Sequence, residues 1–524
     1  MPKDLRSSLQ YEPVELQFGT SGRRGLLIHL TQLEVYINVL AEIRYLQSLD
    51  RAAGGILKGD ALYLAHDLRP SAIQLFAAIE QAVLDAGMVP INMGAIPTPA
   101  LMDYSLSQGK ASIMVTGSHI PFDRNGYKLN TSRGELLKQH EEPIGGMVAE
   151  VRSSIYAQPF EASIFNEQGM LLDARQEFPP PLPDARNLYI SRYREFFADE
   201  SLSGKRILVY QHSAVGRDLL VETLPSFGAE VIPSGRSDEF VPIDTENIDA
   251  VQLAIIQTLA DDAAAKHGTP DAIVSTDGDS DRPLILGLDN GAVRFFNGDL
   301  LGMITAEYLG ADSVVVPISC NDAIDRGVLA PVVEAKTRIG SPFVIAGMQE
   351  GVGRGRKVVC GWEANGGFLT GSDIERHGNV LTALPTRDAI LPILCVLFAA
   401  ARTNIGLPAL FAALPRRYSR AALLKQFPRS TSRRIVANFG QREKLEPFFT
   451  PEGGFAAIRG IDHTDGVRIS FANSDVVHFR PSGNADEFRC YAVADTEDRA
   501  ASIVQMAIAE PDGILRRLEK SVPA

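Results

Sequence analysis

Three aspartates, Asp277, Asp279 and Asp281, alternate in the string Thr276-Asp277-Gly278-Asp279-Ser280-Asp281-Arg282. Carboxylates this close repel one another and raise their pKa values unless a cation neutralises them. Oxygen ligands suit a hard divalent ion, and a phosphorylated substrate would favour Mg²⁺. The next residues, Arg282-Pro283-Leu284, supply no acidic twelfth position, which argues against a calcium EF-hand. Gly278 permits the tight turn. The plain alternative is a solvated acidic loop.

A second loop is Val115-Thr116-Gly117-Ser118-His119-Ile120-Pro121, followed by Asn125-Gly126-Tyr127-Lys128. It places the Ser118 hydroxyl at the open end of a strand, where α/β sheets hold ligands. The chemistry it suggests is a nucleophilic or phosphate-carrying serine assisted by His119 and Lys128, although a lone serine is more often an ordinary loop residue. Phe18-Gly19-Thr20-Ser21-Gly22-Arg23-Arg24-Gly25 joins backbone donors to two guanidinium forks, both suited to phosphate. In Trp362-Glu363-Ala364-Asn365-Gly366, Glu363 and Asn365 offer the directional hydrogen bonds that sugar hydroxyls need. Thr337, Arg338 and Ser341 form a similar polar turn. Arg480, Ser482, Gly483, Asn484 and Arg489 compose a nearly complete phosphate cradle near the C-terminus. His66 and Asp67 read as structural groups, and His140, His267, His377 and His463 show no ligand spacing.

The elements that must position these loops alternate between strand and helix. Thr31 with Glu34 makes a capping-box start for a helix reaching about Leu49. Strands are expected over 61–65, 89–93 and 111–115, with helices over 71–86 and 99–107. The segment from Ile144 to Arg186 is less regular, and Pro179 to Pro183 reads as a stiff linker. A second round has strands over 206–210, 230–232 and 271–275, with helices over 217–226 and 248–267. A third has helices over 300–309, 322–328, 343–350 and 387–401, with strands over 313–318 and 357–360. Beyond Gly406 come strand pieces over 468–471 and 476–479 and a helix over 498–509. The expectation is an α/β protein: three similar α/β domains with mixed, largely parallel sheets (1–150, 185–292 and 293–405) and a smaller α+β C-terminal domain (406–524), around one cleft.

Length and composition agree. The 524 residues exceed what one core accommodates, and 45% hydrophobic with 22% charged residues is an ordinary globular mixture. A net charge of −13 argues against a nucleic-acid surface. No apolar run is long enough to span a bilayer, and Met1-Pro2-Lys3-Asp4 does not start a signal peptide. Four widely spaced cysteines read as buried thiols in a reducing compartment, the cytoplasm.

With these loops in order, the chain resembles the α-D-phosphohexomutase superfamily. The family's T-A-S-H-N-P…N-G-x-K is Thr116 to Pro121 and Asn125 to Lys128 here. D-G-D-x-D-R is Asp277 to Arg282, and G-T-S-G-x-R-G is Gly19 to Gly25, which assigns Arg24 to the site. The sugar loop G-E-x-S-G and the phosphate loop R-x-S-G-T-E-P correspond to Trp362 to Gly366 and Arg480 to Asp486.

The resemblance implies a phosphorylated Ser118 that exchanges phosphate with hexose 1- and 6-phosphates, of mannose or glucose, through a hexose 1,6-bisphosphate. It implies Mg²⁺ on Asp277, Asp279, Asp281 and a Ser118 phosphate oxygen. Lys128 or His119 would move the proton, Arg24 and Arg282 would flank the reacting phosphate, and the bisphosphate would act as activator. Its partner is a phosphosugar, with no nucleic acid or membrane, on a monomer or weak homodimer. Departures fall at Gly117, Ile120, Asn365, Asn484 and Ala485, and they bear on the sugar more than on the reaction. A phosphoacetylglucosamine or phosphoglucosamine mutase is the alternative within the class, and a catalytically silent sugar-phosphate-binding relative the alternative outside it. A phosphatase built on the aspartate loop leaves Ser118 without a role.

Overall fold

The computed structural model describes residues 3–19, 21–173, 178–246, 248–482 and 486–522. The first sheet holds β1 (Arg23–Leu26), β2 (Ala61–His66), β3 (Val89–Ala95), β4 (Ser112–Val115), β5 (Arg124–Thr131) and the short β6 (Gly134–Glu135), in the order β1-β5-β4-β2-β3 with β6 on β5. The second holds β7 (Arg206–His212), β8 (Glu230–Arg236), β9 (Ala272–Thr276), β10 (Pro283–Asp289) and β11 (Ala292–Phe295), in the order β11-β10-β9-β7-β8. The third joins β12 (Ser313–Val315), β13 (Val359–Trp362) and β14 (Phe368–Thr370). After a small hairpin, β15 (Ile374–Arg376) with β16 (Asn379–Leu381), its last strand is β17 (Leu384–Asp388), giving β12-β13-β14-β17.

One step recurs in all three sheets. A strand paired in parallel on one side, β4, β9 or β13, turns back into an antiparallel neighbour, β5, β10 or β14. The connections so made are the loops carrying Ser118, the three aspartates and Glu363. Each lies at the carboxyl end of a parallel strand, where binding crevices of α/β sheets form.

A continuous apolar core runs through the facing sides of the three sheets, from Tyr63 and Met114 through Val209 and Val274 to Trp362 and Phe398. Separate clusters back the outer faces of each sheet. The helix Gly298–Leu309 sits close behind the third loop. A Cβ on Gly298 would lie 2.2 Å from the Gly366 nitrogen, so only a hydrogen fits there. The C-terminal sheet is wholly antiparallel: β18 (Tyr418–Lys425), β19 (Ile458–Asp462), β20 (Val467–Phe471), β21 (Val476–Pro481) and β22 (Glu487–Ala494), in the order β18-β22-β21-β20-β19. It has a core of its own, centred on Phe427, Phe471, Phe479 and Phe488.

Several expectations are corrected. Residues 144–156, expected to be less regular, belong to the helix Glu141–Tyr156, and the helix Asp184–Phe196 begins at the far end of that segment. Gly145 and Gly146 lower helix propensity in the first of these and obscure its period. The proline run between them is fastened to β3: the Leu182 amide donates to the Asn92 carbonyl (3.0 Å), and the Asn92 side-chain amide to the Pro179 carbonyl (2.7 Å). Thr31 does cap the helix Gln32–Ser48, accepting from the Glu34 amide at 3.3 Å. The Glu34 carboxylate, however, turns away to Arg152 (2.8 Å) and Tyr156, so the reciprocal half of the capping box is missing.

The expected strand over 313–318 ends at Val315, and the expected helix over 322–328 is a single 3₁₀ turn, Asp322–Asp325. The helix expected from Arg387 begins at Ile390, because Arg387 belongs to β17. Residues read as loop, Asn125 to Lys128, lie in the fully paired strand β5. Its polar side chains hid the strand from a reading based on apolar pattern. All four cysteines are buried and unpaired. Among the described residues, no helix is long and apolar enough to cross a membrane.

Candidate functional site

Ser118 is fully buried and left-handed (φ 56°), a conformation its loop must enforce. Its amide donates to Thr116 Oγ1 (2.7 Å), and Thr116 in turn donates to Asp67 Oδ2 (2.7 Å). Its hydroxyl donates to Asp277 Oδ2 at 2.6 Å, across 159 residues of sequence. His119 Nδ1 lies 3.4 Å from Ser118 Oγ. Burial, then Arg282 and Arg24, hold the His119 imidazole well below its ordinary pKa, so it is neutral near pH 7.

The aspartates converge as their spacing predicts. Ligand oxygens of Asp277, Asp279 and Asp281 all lie within 4.8 Å of one another. Lys128 reaches in from β5 and donates to Asp279 Oδ2 and Asp281 Oδ2, each at 2.7 Å. Thr98 donates to Asp279 Oδ2 at 2.6 Å, and the Asp281 and Arg282 amides to Asp277 Oδ1 at 3.1 and 3.2 Å. Burial and the two neighbouring carboxylates push Asp277 well above the usual carboxylate range. Against the same burial, Arg387, Lys128 and Arg282 hold Asp281 well below it.

Asp279 Oδ1 and Asp281 Oδ1 are buried without a hydrogen-bond donor. Buried carboxylate oxygens left this way are costly, and a hard cation is the partner they fit. The donor set therefore suits Mg²⁺. Arg24, on β1, is partly buried and pushed down to about 10 by burial and then by Arg282. Arg282 Nε stands 3.7 Å from Asp281 and 3.9 Å from Asp277. Beside Arg24, Arg23 is structural: it pairs with buried Glu42 at 2.6 Å.

Glu363 is drawn to this centre by a residue the sequence reading missed. Arg387 donates to Asp281 Oδ2 (2.9 and 3.1 Å) and to Glu363 Oε2 (2.8 Å), with Ser341 Oγ at 3.4 Å. Ser341 donates to Glu135 Oε2 at 2.6 Å. Asn365 spends its side-chain oxygen on the Gly367 amide (2.9 Å), and its carbonyl accepts from Thr245 at 2.9 Å. The side-chain oxygen shapes the loop.

The C-terminal group is a separate cluster. Arg480 and Arg489 face each other across β21 and β22. Arg480 Nε donates to Asp465 Oδ2 at 3.0 Å, and the same oxygen accepts from the Ile339 amide at 3.0 Å. Arg338 donates to the Thr464 carbonyl at 3.2 Å, while the Thr337 hydroxyl turns onto the Arg338 carbonyl at 2.8 Å. The polar turn of the third sheet thus docks on the C-terminal sheet. The Ser482 amide donates to the Glu487 carbonyl at 3.0 Å. Gly483 and Asn484 lie outside the described residues.

Arg69 and Asp465, like Arg387, lie outside the motifs that residue type and spacing single out. The signal for Arg69 was the Asp67-Leu68-Arg69 string at the end of β2, two charges at a strand's carboxyl end. A methyl group on Gly117 would lie 2.7 Å from the Arg69 Cζ and Nε atoms, which gives a spatial reason for glycine there. Ile120 in place of asparagine has no counterpart explanation in the structure.

Known proteins resemble this chain over most of its length. Residues 15–153 match the family described as phosphoglucomutase/phosphomannomutase, alpha/beta/alpha domain I, and residues 297–418 match its domain III. A phosphomannomutase of Sinorhizobium fredii is 38% identical over 494 residues, 94% of this chain and 98% of the relative. A phosphoglucosamine mutase of Albidiferax ferrireducens is 26% identical over 75% of this chain and 81% of its own length. In structure, a phosphoglucomutase/phosphomannomutase family protein of Burkholderia thailandensis superposes with a TM-score of 0.66 at 17% identity, over 96% of this chain and 98% of that one. The chain belongs to the α-D-phosphohexomutase superfamily, as an isomerase of the phosphoglucomutase/phosphomannomutase type.

Proposed function

We propose that the enzyme interconverts hexose 1-phosphate and hexose 6-phosphate, with mannose or glucose as the sugar, through a phosphoserine at Ser118 and a hexose 1,6-bisphosphate. The observation that carries this reading is the Ser118 hydroxyl on Asp277 at 2.6 Å, inside a buried aspartate cluster that Lys128 also enters. In one half-reaction, the bond between phosphorus and Ser118 Oγ breaks and a bond to the free sugar hydroxyl forms. The resulting bisphosphate turns over in the cleft and returns its other phosphate to Ser118. The same bisphosphate would recharge any enzyme that has lost its phosphate.

Asp277, Asp279 and Asp281 would hold Mg²⁺, which offsets negative charge on the transferring phosphoryl group. Arg24 and Arg282 flank that group with fixed positive charge. The neutral His119 is the group placed to take the proton of the attacking hydroxyl, and Lys128, a donor to two carboxylates, the group placed to return one to Ser118 Oγ. Glu363, steadied by Arg387, accepts from sugar hydroxyls. Arg480, Ser482 and Arg489, with Gly483 and Asn484, would grip whichever phosphate is not reacting, and the turn carrying Thr337, Arg338 and Ser341, docked on the C-terminal sheet through Arg338, would add to the substrate contacts. A grip on the distal phosphate lets one site accept both orientations of the bisphosphate, and closure of the C-terminal sheet over the sugar would exclude water. On this reading each sheet with its helices is one domain, divided near residues 150–185, 292 and 405.

Whole-length similarity to a phosphomannomutase favours mannose and glucose over an amino sugar. Intact-mass analysis should show Ser118 carrying one phosphate, and Ser118→Ala should abolish turnover. Assay of mannose, glucose, glucosamine and N-acetylglucosamine 1-phosphates should rank the first two highest. Undiminished turnover in the alanine variant would sink the phosphoserine route, and preference for an amino sugar would reassign the substrate.

A further inference from the structure

We propose that Arg69, clamped between the Gly117 peptide and the Phe240 ring, is the positioning residue that holds the Ser118 loop against the metal loop. This rests on the reading of Ser118 as phosphoryl carrier.

The Arg69 side chain is 1% exposed and spans the loop from beneath. Nη1 donates to the carbonyls of Pro121 and Arg124, both at 2.9 Å. Nη2 donates to the carbonyls of Ser118 (2.9 Å) and Ile120 (2.5 Å). Asp67 fixes the base of the arrangement: Oδ1 accepts from the Arg69 amide at 3.0 Å, and Oδ2 lies 3.4 Å from Arg69 Nε. Through Thr116, the same Oδ2 atom also supports the Ser118 amide. A planar fork with five fixed donors can gather four carbonyls in this way, whereas a lysine ammonium cannot.

The other face of the guanidinium stacks 4.0 Å over the Phe240 ring, which comes from the second sheet's side of the cleft. That ring also covers Gly278. A Cβ on Gly278 would lie 3.2 Å from Phe240 and 2.7 Å from the Ser118 carbonyl. Neither Gly117 nor Gly278 has a positive φ, so each is required by space and not by backbone twist. The layers Gly117, Arg69, Phe240 and Gly278 therefore set how far Ser118 stands from Asp277. None of these groups reaches the reacting atoms directly, and Arg69 acts through the backbone of the loop.

The test is a double-mutant cycle on the full-length enzyme, with mannose 1-phosphate and glucose 1-phosphate as probes. Arg69→Met should lower kcat about 100-fold with KM within about threefold, the signature of misplaced reacting atoms. Arg69→Lys should not restore it. Gly117→Ala should lower kcat about tenfold in the wild-type background and add nothing on top of Arg69→Met, because its cost arises from displacing the guanidinium. Full additivity, or an Arg69→Met kcat within about threefold of wild type, would overturn the proposal. Should Arg69→Met fail to fold, as judged by circular dichroism, Phe240→Leu takes its place in the test. A kcat loss with KM unchanged supports the clamp, and unchanged kcat refutes it. Ser118→Ala is assayed alongside. If it stays active, the phosphoserine reading has failed; if it is dead while the other variants turn over normally, only the clamp has failed.

Discussion

Around Ser118, charges are buried and answer one another: Lys128 on Asp279 and Asp281, Arg387 on Asp281 and Glu363, Arg69 on Asp67. In the C-terminal cluster, Arg480 is 13% and Arg489 38% exposed in the side chain, and among the described residues Arg480 forms its ion pair with Asp465. The first region is assembled from three sheets that share a core, while the second rides on a sheet with its own core. This difference suits a reaction in which chemistry stays in one place and the sugar turns over. On the proposed function, the transferring end would gain from fixed dipoles and charges in a dry site. On the same reading the C-terminal cluster would take a phosphate from either of two substrate orientations and then release it, which suits the looser arrangement seen among the described residues.

The contrast breaks most sharply at the aspartates. Chelation should stop turnover and Mg²⁺ should restore it, in a coupled assay run before and after metal removal. Asp279→Asn should lower kcat by about 10³-fold or more, since it weakens the cation's grip and leaves Lys128 and Thr98 facing a neutral amide. Turnover indifferent to chelator would remove the metal from the reading.

At the gripping end the expected effect is smaller and of another kind. Asp465→Ala frees the Ile339 amide and Arg480 together, so the third sheet's turn and the C-terminal sheet lose a shared anchor. KM for hexose phosphate should rise about three- to tenfold with kcat nearly unchanged, as expected for lost binding that is equal in ground and transition states. Steady-state kinetics decide it. A fall in KM would instead show Asp465 competing with the substrate phosphate for Arg480.

The same contrast explains what could be read from the sequence. Ser118 and Lys128, the three aspartates, and Glu363 were legible because their chemistry is concentrated in short strings at strand ends. Arg69 and Arg387 were not, since each is a single charge whose meaning lies in contacts 49 and 106 residues away. Arg387 was misread as the start of a helix because Ile390 to Ala401 is strongly apolar, and the period carries no mark of where strand gives way to helix. Asn365 looked like a sugar ligand by residue type, yet its oxygen closes its own turn. The three-fold repetition was visible, but the antiparallel return strand after each loop was not, and in β5 polar side chains such as Asn125, Lys128 and Asn130 masked it.

The smallest effect concerns stability and separates the two regions by pH. His478, 1% exposed in the C-terminal sheet, is pushed down to about 4 by burial. Its Nε2 lies 2.6 Å from the Asp465 carbonyl, which can only accept, so Nε2 carries the proton. Nδ1 is buried without a partner. Protonating it would place an unsatisfied charge in apolar surroundings. A base depressed on folding favours the folded state fully above its unfolded pKa, near 6.5, and loses that contribution as pH falls toward 4. From pH 7 to pH 5 the loss is about 2 kcal/mol. His212, beside the metal loop and also pushed down to about 4 by burial, adds a similar slope to the other region. His478→Gln keeps a donor for the Asp465 carbonyl but cannot titrate. Its melting temperature should therefore fall less than that of the wild type between pH 7 and pH 5, and the residual slope should come from His212 together with His119 and His140, which burial also lowers. Thermal unfolding followed by calorimetry at both pH values resolves this, and parallel pH dependence in the two proteins would show that His478 does not titrate with unfolding.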